Sequence, residues 1–147
     1  MKILASIYSD KNRTLKATID DLVAHQVDML HVDCNDDAKV FDDIQLIREW
    51  CDLPIDLHII SENPEQYFEA LRSLNLEYVT FQYEQLPKKI TFTKDLGQKL
   101  GLAIVTPTPV EVFEEYDDFD FLLLMATVPG QSGGVFDKVN FHKIRSF

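Results

Sequence analysis

The sequence has little that would brace it covalently. Its two cysteines, Cys34 and Cys51, are too few and too far apart for a disulfide scaffold, and no signal-type apolar segment precedes a cleavage site near the N-terminus. We therefore expect a reduced, cytoplasmic protein. Long hydrophobic runs are missing too: the most apolar stretch, "FLLLMA" at 121–126, falls far short of the ~20 residues of a membrane span. Basic residues are scarce, 14 against 25 acidic ones for a formal charge of −11, which argues against nucleic acid or an anionic membrane as a partner. An anionic ligand would need positive potential supplied locally, by a metal ion, a helix N-terminus or loop N–H groups. Absent as well is the G-x-G-x-x-G fingerprint after the first strand-like run, which weighs against a dinucleotide fold.

What is present is a chain of 147 residues, 46% hydrophobic, enough for one globular domain with its own core. Short β-type runs recur at "KILASIY" (2–8), "MLHVD" (29–33), "IDLHII" (55–60), "YVTFQY" (78–83), "LAIVT" (102–106) and "FLLLMA" (121–126). The gaps between them hold a helix and two loops, so neighbouring strands should run parallel. Leu15, Ile19, Leu22 and Val23 form one helical stripe. In "SENPEQYFEALRSL", Asn63 can cap, Pro64 suits the first turn, and Phe68 and Leu71 face inward. "PVEVFEEY" after Pro109 reads as a short helix, and "ITFTKDLGQKL" as a helix by pattern despite its β-branched residues and Gly97. Six successive βα units give an open doubly wound sheet or part of an α/β TIM (β/α)8-type barrel. The missing fingerprint favours the barrel.

Two polar groups interrupt the second strand. Period two places His31 and Asp33 on one face, and the third strand brings His58 to a similar depth. Ligands bind at the C-terminal ends of such parallel strands. Either histidine alone is explained by a hydrogen bond within a core; two histidines and a carboxylate converging from neighbouring strands make a divalent-metal site. His25 and His142 should be solvated on helices, and Trp50 and Tyr67 should pack rather than stack on a ligand. The run "EEYDDFD" reads as a solvated helix end.

These stretches also resemble a known family. "DLPIDLHIISENPEQYFEAL" is similar to the third βα unit of ribulose-phosphate 3-epimerases, "LHVDCND" to their H-x-D-x-M-D, and "LASIYSD" to their first strand with its serine. "TPVEVFEEYDDFDFLLLMATVPGQSGGVF" resembles their fifth and sixth units with the P-G-x-G-G turn. The resemblance implies a barrel that binds one divalent cation and converts ribulose 5-phosphate to xylulose 5-phosphate. It carries the metal ligands onto His31, Asp33 and His58, with Asp33 as one acid/base. Substrate contacts fall on Ser6, His58, Met125 and the phosphate-side turn Gly130, Gln131, Ser132 and Gly133. The metal, by donor set, is zinc, iron, manganese or cobalt.

The sequence departs from that family pattern in places. Asn35 and Ile60 stand where methionines are expected, the loop after the second strand is reduced to "NDDAKVFDD", and the turn reads "PGQSGG". No seventh or eighth strand follows "FHKIRSF", so the family's fourth ligand and second acid have no counterpart, and we read residues 1–147 as a single, C-terminally incomplete barrel domain. Unpaired first and sixth strands would invite partners, so we expect a homo-oligomer with a small sugar phosphate as substrate. The competing reading is a non-catalytic homologue that binds a sugar phosphate or serves as an interaction module. Related barrel decarboxylases and synthases need a lysine where Asn35 stands, which ranks that reading last.

Overall fold

The computed structural model describes residues 1–126 and 139–146. Six strands form one parallel sheet in sequence order: β1 (Leu4–Ser6), β2 (Met29–Cys34), β3 (Ile55–Ile59), β4 (Tyr78–Gln82), β5 (Lys99–Val105) and β6 (Phe121–Met125). The helices are α1 (Leu15–Ala24), α2 (Lys39–Trp50), α3 (Phe68–Ser73) and α4 (Val139–Ser146). Sequential order with every pair parallel is the winding of a (β/α)8-type barrel, of which six strands are described here. The alternative doubly wound sheet would reverse strand order midway. It does not.

Strand alternation separates two faces. Leu30, Val32, Ile55, Leu57, Ile59, Val79, Phe81, Leu102 and Ile104 are buried beneath the helices, and this apolar layer drives the fold. Helices α1 and α2 contribute Ile19, Ile44 and Ile47 to it. The stripe expected on α1 is narrower than its sequence suggests, because Val23 is largely exposed. Thr14 starts that helix by accepting a hydrogen bond from the Ala17 N–H at 3.2 Å, one of the otherwise orphaned first-turn donors.

Three local expectations change. Asn63 makes no side-chain cap; its own N–H donates to Ser61 Oγ at 3.0 Å, and residues Pro64–Tyr67 form a 3₁₀ turn before α3. Phe68 and Leu71 do face inward. The segment after Pro109 is a 3₁₀ helix, Val110–Glu115, rather than an α-helix. No α-helix forms over 90–100: only Lys94–Leu96 makes a 3₁₀ turn, Gly97 adopts φ +81, and β5 has already begun at Lys99. A left-handed residue ends a helix, and β-branched neighbours do not favour one. The helix's packing role falls instead to Phe92 and Leu96, both buried. Phe92 lies 4.8 Å, ring to ring, from Phe81 and from Phe119.

Trp50 is half-buried, with Lys16 Nζ 5.6 Å from its ring centre. Tyr67 is buried and donates its hydroxyl to Asp36 Oδ1 at 3.0 Å, which holds the left-handed Asp36 of the short loop after β2. His25 and His142 are exposed, as expected. No described helix is long and apolar enough to cross a membrane.

Candidate metal centre

The second face of the sheet carries the chemistry. Parallel register sets His31 beside Asp56 and Asp33 beside His58, then His58 beside Thr80 and Gln82 beside Ala103. Residues in register share a face, so the period-two spacings H-x-D, D-x-H and T-x-Q on three adjacent strands become one polar patch. Donor atoms of His31, Asp33 and His58 all lie within 4.8 Å of one another.

Each ring is oriented by a partner. His31 Nδ1 is 3.0 Å from Asp56 Oδ2, and its Nε2 is 3.0 Å from Asp33 Oδ1. Asp56 is itself buried and accepts from Thr80 Oγ1 at 2.9 Å. Burial pulls the His31 pKa down, but its hydrogen bonds and Coulomb attraction to Asp33 and Asp56 outweigh that and raise it to about 9. Burial acts the opposite way on Asp33, and the two histidines again prevail, holding its carboxyl well below the ordinary range. Asp33 is therefore anionic throughout the neutral range.

His58 is fully buried; its Nε2 is 2.8 Å from Gln82 Oε1, and its Nδ1 is 3.1 Å from Asp33 Oδ1. With Nε2 as the donor to Gln82, Nδ1 presents a lone pair to a carboxylate oxygen that also has only lone pairs. Two acceptors at that distance repel unless positive charge lies between them, either a proton or a metal cation. One carboxylate and two imidazoles, the second nitrogen of each ring held by another side chain, constitute a donor set that fits a divalent transition metal. In that arrangement His31 Nε2 would give up its proton for a bound metal, while His31 Nδ1 would keep its own and donate it to Asp56.

The remaining expected site residues are placed less closely. Ser6 ends β1 in register with His31. Met125 ends β6 in register with Val105, on the same face but three strands from His58. Gly130, Gln131, Ser132 and Gly133 lie outside the described residues. Sequence reasoning missed Asp56, Thr80, Gln82 and Glu84. The signal was there in "IDLHII" and "TFQYE", where polar residues recur every second position within apolar strands.

A parallel α/β sheet wound in barrel order, with a histidine–carboxylate cluster on its inner face, defines the class: (β/α)8-type barrel proteins. Comparison with known sequences narrows it. The ribulose-phosphate 3 epimerase family matches residues 2–147, and the chain belongs to that family. It is 30% identical over 146 residues to a ribulose-phosphate 3-epimerase of Bacillus subtilis (strain 168), covering 92% of this chain and 67% of that protein. The protein of that name from Aquifex aeolicus (strain VF5) is 28% identical, with 99% of this chain and 70% of the relative covered. A relative in Oryza sativa subsp. japonica, "Ribulose-phosphate 3-epimerase, cytoplasmic isoform", is also 28% identical, with the same coverage. The chain thus spans about two thirds of the length of these relatives.

Proposed function

We propose that the chain is a metal-dependent sugar-phosphate epimerase acting on ribulose 5-phosphate or a close ketose phosphate, with His31, Asp33 and His58 as metal ligands. The observation that carries this reading is the convergence of those three donors, each ring's other nitrogen engaged by Asp56 or Gln82. Family membership supplies the substrate class.

Removing the proton beside a ketone develops negative charge on two neighbouring oxygens. A bound divalent cation supplies positive charge there. Zinc, iron, manganese and cobalt all suit the donor set. The chain's own residues do the rest. Asp33, kept ionised by its neighbours, is in the form that accepts a proton at Oδ and is assigned as one acid/base. Asp56 and Thr80 hold the His31 ring, so the cluster needs little rearrangement when charge develops. Ser6, adjacent to His31 in register, and Met125 are assigned to the substrate pocket. The turn at Gly130, Gln131, Ser132 and Gly133 is assigned to the phosphate.

Epimerisation requires a second acid on the opposite face of the substrate carbon, because a single base returns the proton to the side it came from. The test is NMR of ribulose 5-phosphate in deuterated buffer with the full chain and divalent metal. The expected result is deuterium at C3 together with xylulose 5-phosphate. Exchange without epimer would limit the reading to a one-base site, and the absence of both signals would overturn it.

A further inference from the structure

Gln82 and Glu84 lie beyond the three candidate ligands, on β4 and just after it. Gln82 is 1% exposed. Its Nε2 is 2.5 Å from Glu84 Oε2 and 3.3 Å from the Ala103 carbonyl, both of which can only accept. That end of the side chain must therefore be the NH₂ group, and the oxygen must face His58. Glu84 has no freedom to turn away. Its other oxygen, Oε1, accepts from the Val105 N–H at 2.9 Å and from Thr108 Oγ1 at 2.5 Å, and those hydrogen bonds, against the pull of burial, hold its carboxyl below the ordinary range.

We propose that Gln82 and Glu84 are positioning residues that decide which nitrogen of His58 carries the proton: the Glu84 carboxylate orients the Gln82 amide, and the amide oxygen requires a proton on His58 Nε2. Nδ1 is then left to serve the candidate metal centre. The chain of consequence runs through hydrogen-bond polarity alone, so exchanging one atom type at its far end should reverse it. In Glu84→Gln the introduced amide oxygen keeps the bonds to Val105 and Thr108, and its NH₂ meets the NH₂ of Gln82. Two donors cannot share that contact. Gln82 turns over, giving up its long 3.3 Å bond to the Ala103 carbonyl, presents NH₂ to His58 Nε2, and moves the ring proton to Nδ1, the atom that would face a bound metal. The exchanged pair Gln82→Glu/Glu84→Gln restores an acceptor opposite Nε2 and a donor behind it.

This inference rests on the metal-site reading for its consequence but not for its first readout. Nitrogen NMR of isotope-labelled histidine in the full chain, kept metal-free with a chelator, reports whether His58 Nε2 carries a proton. That signal should be present in the wild type, lost in Glu84→Gln and regained in the exchanged pair. Retention of the Nε2 proton in Glu84→Gln would overturn the proposal. Zn²⁺ affinity, by competition with a chromophoric chelator, should fall about 10–100-fold in Glu84→Gln and recover in the exchanged pair, as for other groups that orient metal ligands. A lost Nε2 proton in a protein that binds no Zn²⁺ even as wild type would uphold the positioning role and overturn the metal-site reading instead. A merely structural Glu84 would not give recovery on exchange.

Discussion

Strands β3 and β6 have the same length and direction but opposite character. All five residues of β3 are buried, and two of them are Asp56 and His58. All five residues of β6 are half-exposed, and every one is apolar. Residue type alone would have put Phe121–Met125 in the core and the polar pair at the surface. Position in the sheet decides burial: β3 is hydrogen-bonded on both sides, whereas β6 pairs only with β5 among the described strands. Chemistry decides polarity. A buried polar group costs free energy unless its bonds are satisfied, and on β3 each such group has its partners on β2 or β4. The exposed apolar strand instead borders a hollow of about 150 Å³ with Leu4, Met29, Asp56 and Tyr78. Among the described residues nothing covers that face.

The sharpest way to separate the two strands is to remove the carboxylate of Asp33, which lies on β2 beside His58 of β3. Asp33→Asn deletes the sole anionic donor of the cluster. Loss of a group that only orients a ligand costs about 10–100-fold in metal affinity, so loss of the ligand itself should cost at least about 1000-fold, equivalent to ~4 kcal/mol. Chelator competition measures this, and a melting curve checks that the fold survives. Affinity within tenfold of the wild type would remove Asp33 from the site. The β6 side should not notice the change.

The next effect depends on pH. His31 in the folded, metal-free protein has a pKa raised from 6.5 to about 9. A raised value means stability that is fully present below pH 6.5 and lost as pH rises through about 9. The full difference corresponds to about 3 kcal/mol, shared with Asp33 and counted once. Denaturant titrations with chelator present should show stability falling across that window, and His31→Leu should abolish the slope. A flat profile in the wild type would mean that the His31 bridges do not stabilise the fold. Metal reverses the sign, since binding must displace the His31 proton: Zn²⁺ affinity should increase with pH over the same window.

Much of this architecture was legible. Six strands with helical spacers, and the shared face of His31, Asp33 and His58, follow from periods of two and 3.6 in the sequence. What escaped was whatever depends on register between strands. The alternation in "TFQYE" puts Gln82 and Glu84 on one face, but their roles emerge only when β4 is set beside β3 and β5, because amide polarity is fixed by neighbours distant in sequence. The segment over 90–100 failed for another reason. Its apolar spacing suited a helix, but Phe92 and Leu96 reach the core from irregular backbone, and Gly97 closes the turn into β5. Pattern records which residues are buried, not the backbone that carries them there.

The smallest of the three effects tests the apolar half. Gly101 lies in register with Phe121, and a Cβ on it would come within 2.3 Å of the Phe121 ring. That ring is also held edge-on against Tyr78 with centres 5.8 Å apart, so it cannot simply swing toward β4. Gly101→Ala should therefore cost about 2 kcal/mol through overpacking, read as a lower denaturation midpoint at unchanged slope. Adding Phe121→Leu, which vacates the space, should recover most of the loss. Metal affinity should stay within about threefold of the wild type, because Gly101 meets the cluster only indirectly, through Thr80, its neighbour in register, and Asp56 beyond it. If Gly101→Ala instead weakened metal binding as much as it weakened the fold, the two halves of the inner face would be one cooperative unit, and the contrast between β3 and β6 would be one of composition only.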